Sequence, residues 1–301
     1  MKAIDLFCGC GGLSLGFESA GIQIIKAFDN WEEALKIYNA NFKHAAELTD
    51  IYELSPDYLK SLNVDMIIGG PPCQDYSSAG KRDESRGRAN LTLQFAKIVS
   101  EVKPKWFVME NVDRIIKSET LPKAISVFES SGYGLTQIIL DASKCGVPQV
   151  RKRFFLIGEL GAEKNFLLES LIEDLSLTPL TVREYLGNEL DTEFYYRHPR
   201  SYNRRAIFSI DEPSPTIRGV NRPIPPSYRI HPGDATKDLS LVRPLTNFER
   251  ARIQTFPKDF ILFGKKTDLE QIIGNAVPVN LAKYVAEHLI NHINMLSNKQ
   301  A

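Results

Sequence analysis

The chain has 301 residues, 43% of them hydrophobic and 25% charged, and its 37 basic side chains balance its 37 acidic ones. That length suits one large or two modest globular domains, the composition argues against a disordered chain, and no apolar run approaches the about 20 residues that a membrane helix requires. Net neutrality gives no sign of a nucleic-acid partner, so any such partner must be read from local charge.

After Lys2 the apolar stretch is too short for a signal peptide and runs into a glycine cluster. Lys2–Phe7 reads as a strand and Gly11–Ala20 as a helix, followed by a strand at Ile22–Phe28 and a helix at Glu32–Asn41. A strand at Asp65–Ile68 ends in Gly69-Gly70, Leu91–Val102 reads as a helix, Trp106–Glu110 as a strand, and Leu121–Ser131 as a helix. Two more strands are expected at Leu135–Leu140 and Phe154–Gly158. Strands alternating with helices predict an α/β fold with a mostly parallel, doubly wound sheet, whose ligands sit at the carboxyl ends of the strands.

Beyond residue 158 the composition changes. Residues 159–195 hold nine acidic side chains against Lys164 and Arg183. Residues 197–243 hold eight arginines and Lys237 against Asp211, Glu212, Asp234 and Asp238, with seven prolines that exclude long helices and central strands. A small, loop-rich second domain is expected over 172–265, with 1–171 and 266–301 forming the first. The last helix is expected at about Asn280–Met295.

Four constellations carry chemistry. Asp5-Leu6-Phe7-Cys8-Gly9-Cys10-Gly11-Gly12 is a glycine turn between a strand and a helix, where a ligand can approach the backbone and free N–H groups. It could serve a dinucleotide, S-adenosylmethionine or only a tight turn; Asp29, at the end of the second strand, could accept both hydroxyls of a ribose. Gly69-Gly70-Pro71-Pro72-Cys73-Gln74 follows a strand and is unlike core packing, although a lone cysteine is more often a small hydrophobe than a nucleophile. Glu110-Asn111-Val112 puts a carboxyl group at a strand end, where desolvation would make it a proton donor; an ion-pairing acid is the plainer alternative. Gln149-Val150-Arg151-Lys152-Arg153 enters a strand, and alternation puts Gln149, Arg151 and Arg153 on one face, to grip a carbonyl oxygen or a phosphate or to form a basic edge. The four cysteines are too few and scattered for a disulfide framework and fit a reducing, cytoplasmic compartment. Cys8 and Cys10 lack the spacing and the histidine of a zinc site, so no metal is expected.

Taken in order with Asp50-Ile51, Arg243-Pro244-Leu245-Thr246 through Glu249, Gln254 and Phe256-Pro257, and Gly274-Asn275-Ala276-Val277-Pro278, these motifs resemble the bacterial DNA (cytosine-5)-methyltransferase family along essentially the whole chain. The resemblance implies a sheet of the S-adenosylmethionine-dependent methyltransferase type, with a smaller target-recognition domain at 172–265. It implies S-adenosylmethionine as methyl donor, S-adenosylhomocysteine as product, and contacts from Phe7, Gly9, Gly11, Gly12, Asp29, Asp50, Ile51, Pro71, Asn275 and Val277. Cys73 would attack C6 of a cytosine flipped out of double-stranded DNA, Glu110 would serve N3 and N4, and Arg153 would hold O2 with Arg151 beside it. DNA contacts are expected from Ser77, Arg82, Arg86 and Arg88 in a polar, lid-like stretch, and from Gln149, Thr216, Arg218 and Arg222, the last two as base readers. A bacterial, cytoplasmic monomer follows, with a cognate restriction endonuclease that need not touch it. The chain departs from the family pattern at Cys8, Tyr76 and Phe248; the last stands where an arginine often precedes Glu249, which weakens the ion-pair support expected between the domains.

Three other readings fit the sequence less well. A tRNA methyltransferase would carry a Cys-Phe-Thr tripeptide and a reduced recognition region, neither of which is seen. A nicotinamide oxidoreductase fits neither the glycine spacing nor the Pro-Pro-Cys element. A non-catalytic DNA-binding protein would not need Cys73, Glu110 and Arg153 together.

Overall fold

The computed structural model describes residues 1–72, 89–201 and 203–300. They fall into two compact units built from interleaved segments: Met1–Asp141, Lys152–Leu175 and Ala282–Ala301 in the first, Ala142–Arg151 and Ser176–Leu281 in the second.

The first unit is built on a seven-stranded sheet. Its strands are β1 (Lys2–Leu6), β2 (Gln23–Asp29), β3 (Ala46–Leu48), β4 (Met66–Gly69), β5 (Trp106–Val112), β6 (Tyr133–Asp141) and β8 (Lys152–Leu160), in the order β3-β2-β1-β4-β5-β8-β6. The first five in that order run parallel, and β8 pairs antiparallel with both β5 and β6. The short β3 and the helix α3 (Pro56–Ser61) are additions to the predicted set. Both are too brief to leave a periodic signature.

Residues 3–6 of β1 are all buried, as expected for a central strand covered on both faces. The helices are α1 (Gly12–Ser19), α2 (Glu32–Asn41), α4 (Ala89–Val102), α5 (Thr120–Ser130) and α6 (Leu168–Glu173). A core of Ile4, Leu6, Phe28, Ile67, Phe95, Phe107, Phe128 and Leu156 fixes the sheet. Phe107 and Phe128 stack with centroids 4.1 Å apart. The strand order reverses at β1, which pairs with β2 on one side and β4 on the other, so a crevice opens at the carboxyl ends of these strands.

The second unit holds β7 (Gln149–Val150), α7 (Val182–Leu186), β9 (Phe194–Tyr196), β10 (Ile207–Ser209), β11 (Ser214–Pro215), β12 (Val242–Pro244), α8 (Asn247–Ile253) and α9 (Lys266–Asn275). It contains a three-stranded sheet, β10-β9-β12, and the β11–β7 pair. Its elements are short, as the proline density predicts. Its bounds differ from the expected 172–265, because residues 142–151 and 266–281 group with it. The last helix, α10, runs Val279–Gln300. Among the described residues no helix is long and apolar enough to cross a membrane, and no group of three or more His, Cys, Asp or Glu could hold a metal ion.

Candidate active site

At the end of β1 the chain turns sharply. Phe7 takes φ +66°, and Gly11 takes φ +96°, a region where a side chain is strained. A Cβ at Gly11 would also come within 2.3 Å of the Phe42 ring, so both conformation and space require glycine there. The Asp29 carboxylate ties this turn to the end of β2: Gly9 N–H donates to Oδ2 at 2.8 Å and Trp31 N–H to Oδ1 at 2.9 Å. Burial pushes the Asp29 carboxyl up from its ordinary range, and those backbone donors oppose it. Asp50 caps the turn Ile51–Glu53 by accepting from Tyr52 N–H at 3.0 Å.

Between these elements lies a cleft of about 200 Å³, open to solvent, with Phe7, Phe28, Asp29, Ile51, Tyr52 and Leu91 on its walls. It brings together Phe7, Asp29, Asp50 and Ile51, as expected. Asn30, Thr49, Tyr52 and Leu91 also line it, and their neighbours in the sequence carry no chemical pattern that marks them.

The glycine turn also holds a buried polar chain. Asp5 is fully buried and accepts from Ser14 Oγ at 2.6 Å; Tyr38 hydroxyl donates to Ser14 Oγ at 2.8 Å and lies 2.6 Å from His44 Nε2. The other Asp5 oxygen, Oδ1, is buried without a hydrogen-bond partner among the described residues. Burial lifts the Asp5 carboxyl to about 8, with Ser14 opposing and Asp29 adding to the rise. Cys8 and Cys10 lie in the same turn. Burial pushes Cys10 up to about 12 and Cys8 well above its ordinary value, so neither supplies a thiolate near neutral pH.

Glu110, near the end of β5, is 8% exposed. Its Oε1 lies 2.9 Å from Arg153 Nε. Arg153 is on β8 opposite Val112, and its Nη1 donates to Lys152 O at 2.8 Å. Glu110 Oε2 is 3.2 Å from where a Gly70 Cβ would stand, so the carboxyl group borders the segment leaving β4. Asn111 Nδ2 donates to Pro71 O at 3.2 Å and holds the first proline of Pro71-Pro72. The structure thus brings Glu110 and Arg153 together beside Gly70-Pro71. Cys73, Ser77, Arg82, Arg86 and Arg88 lie outside the described residues.

The remaining expectations fall in the second unit, where those for Gln149 and Arg151 are corrected. Gln149, expected to touch DNA, is fully buried: its Nε2 donates to Gln254 Oε1 at 2.7 Å and its Oε1 accepts from Ile217 N–H at 2.8 Å. Arg151, expected beside Arg153 at the cytosine, is 1% exposed and donates to the carbonyls of Ile217, Gly274 and Ala276. The expected common face fails because β7 pairs with β11, whereas β8 belongs to the seven-stranded sheet, and the chain changes sheets between Gln149 and Arg153. Buried loop carbonyls need donors, and these two side chains supply them.

Gln254 completes the junction by donating to Ile273 O at 2.7 Å. Three separate sequence motifs therefore form one hydrogen-bonded unit. Val277 is buried and Asn275 exposed. Thr216 Oγ1 donates to Val150 O at 2.8 Å. Arg218, expected to read a base, is half-buried and donates to His198 O; Arg222 is exposed. Arg243 grips both oxygens of Glu249 at 2.6 and 2.8 Å, and Glu249 closes a capping box with Thr246.

A mostly parallel sheet with its order reversed at β1, ending in an antiparallel β8–β6 pair, defines the fold class of solved methyltransferases. The chain superposes on Entamoeba histolytica methyltransferase EhMeth with a TM-score of 0.75 at 22% identity, covering 97% of this chain and 98% of that one. Against the S. pombe Dnmt2 methyltransferase the TM-score is 0.71 at 16% identity, covering 98% and 99%. The family is fixed by sequence: residues 1–291 match the C-5 cytosine-specific DNA methylases, and the chain belongs to that family. It is 62% identical over 294 residues to Type II methyltransferase M.HindV of Haemophilus influenzae, covering 97% of each chain. It is 55% identical over 296 residues to Type II methyltransferase M.HgiDI of Herpetosiphon aurantiacus, covering 98% of this chain and 96% of that one.

Proposed function

We propose that this DNA cytosine methylase takes its methyl group from S-adenosylmethionine and transfers it to C5 of a cytosine flipped out of double-stranded DNA, through a bond between Cys73 Sγ and C6. The observation that carries this reading is the Glu110–Arg153 pair against Gly70-Pro71, whose Pro71 stands two residues before Cys73 in the sequence, with the Asp29 cleft in the same unit.

The cleft fits the donor. Its Phe7, Phe28, Ile51 and Leu91 walls suit a purine, and each Asp29 oxygen, after accepting one backbone N–H, keeps a lone pair for a ribose hydroxyl. Asp50 also lines the cleft, while Gly9, Gly11, Gly12, Pro71, Asn275 and Val277 are assigned to the donor by family resemblance. When bound, S-adenosylmethionine supplies an electrophilic methyl group and leaves as S-adenosylhomocysteine.

The protein's part is to make cytosine C5 a nucleophile. The Cys73 thiolate adds to C6, and the electron pair released toward C5 forms the new C–CH3 bond. Loss of the C5 proton then expels the thiolate and restores the ring. Glu110 hydrogen-bonds or protonates N3 and accepts from N4, while Arg153 turns from Glu110 to hold O2, so both strengthen as the ring gains charge. Cys8 and Cys10 are excluded from the nucleophile's role by burial. The target lies in a stacked duplex, so flipping precedes chemistry.

The second unit is assigned to target recognition. The relatives' Type II designation supports action alongside a restriction endonuclease, and a monomer in the bacterial cytoplasm is what we infer from the family resemblance. Bisulfite sequencing of DNA from cells expressing the protein tests the assignment. Protected cytosines in one fixed sequence context are expected, and they should vanish for Cys73→Ser. Unmodified cytosine throughout with the wild-type protein would overturn it.

A further inference from the structure

Four arginines of the second unit are paired with carboxylates. Arg183 pairs with Glu193 and Asp211, Arg205 with Glu212, Arg243 with Glu249 and Arg252 with Glu189. Around His198 the arrangement differs. Arg197 Nη2 donates to Thr216 O at 2.9 Å, and Arg218 donates to His198 O. The Nε atoms of both are buried without a hydrogen-bond partner among the described residues.

Arg200, Arg204 and Arg222 are exposed at this place. Beyond burial, the leading charges on Arg197 are Arg218 and Arg200, which lower it, Tyr195, which raises it, and Arg204, which lowers it; those on His198 are Arg222, Arg218 and Arg197, and that on Arg218 is Arg200. Among the described residues no carboxylate is one of these leading charges. Burial and this crowding lower Arg197 to about 9 and depress His198 and Arg218 as well.

A protein that gathers five guanidinium groups, two of them partly desolvated, accepts repulsion that a neutral partner cannot relieve. Base edges in a groove are neutral; phosphates are not. Arg197 and Arg218 have also spent part of their planar forks on backbone carbonyls, which fixes them as charges rather than as two-pronged readers of guanine.

We propose that Arg197, Arg200, Arg204, Arg218 and Arg222 form one anion site that takes the phosphodiester backbone of the DNA and sets its position, without reading bases. This deepens the methyltransferase reading and rests on it. Sequence selection must then come from other side chains, and the expectation that Arg218 and Arg222 read guanine is replaced.

The test uses the full-length protein with two duplexes, one containing the sequence that bisulfite sequencing shows to be methylated and one of equal composition with that sequence scrambled. Affinity for each is measured over a range of salt for wild type, Arg200→Gln and Arg222→Gln. Both sites are exposed, so folding is spared, and an unchanged melting temperature checks this. Each phosphate contact contributes a slope of about −0.9 in log affinity against log salt. Each variant should therefore lose about one unit of slope and weaken on both duplexes by the same factor. A selective loss on the methylated sequence would overturn the proposal in favour of base reading, and an unchanged slope would overturn it outright. If instead the wild-type protein methylated no duplex DNA, the enzymatic reading itself would fail, which keeps the two failures apart.

Discussion

Glu110 sits where its two oxygens meet different neighbours, one on Arg153 and one against Gly70. Glu110→Gln keeps the size of the side chain and its capacity to hydrogen-bond but cannot deliver a proton to N3. Single-turnover methylation should slow by at least ~100-fold, the scale of a lost general acid, with DNA affinity little changed. An unaltered rate would remove Glu110 from the chemistry. Asp5 makes a different case. Its folded carboxyl titrates at about 8, against ~3.9 in an unfolded chain. The folded state thus holds an extra proton between those values, and the stability it confers is present at low pH and lost as pH rises through about 8. Asp5→Asn mimics the protonated form: it can still accept from Ser14. The variant's melting temperature relative to wild type should climb steadily from pH 4 to 8 and level off above. A pH-independent difference would show that Asp5 is ionised in the fold.

The junction of β7, β11, α8 and α9 shows how far elements can be read from sequence. Periodicity placed the main strands and helices of the first unit because each is long and buried on a regular face. The glycine turn, Asp29 and Glu110 were legible because each follows such a strand. Gln149 and Arg151 were misread because alternation assumes one continuous strand, and nothing local shows that the chain leaves one sheet for another within five residues. Gln254 was visible only as a motif letter, since its partners are 105 and 19 residues away. The structure instead makes Arg151 a brace on three carbonyls. Arg151→Met should remove those charge-assisted bonds and leave buried acceptors unpaired, costing about 3 kcal/mol or more in urea unfolding. A cost below about 1 kcal/mol would contradict the brace.

At the scale of the whole chain, both units are assembled from segments far apart in sequence, which is why the 172–265 boundary could not be read from composition. Composition marks where charge and proline change, but not which earlier segment a strand returns to join. What the sequence carries best is the order of chemical motifs, and that order is what the family match over residues 1–291 reflects. The covalent step proposed at Cys73, which these motifs would serve together, is open to direct test. The direct measurement uses a duplex with 5-fluorocytosine at the methylated position, incubated with the protein and S-adenosylmethionine, then denatured, digested with protease and analysed by mass spectrometry. Fluorine cannot leave C5 as a proton does, so the account predicts a stable adduct carrying the added methyl group, linked through Cys73. Full methylation of ordinary duplex DNA by the same preparation, with no adduct on the fluorinated duplex or with the adduct on another residue, would contradict it.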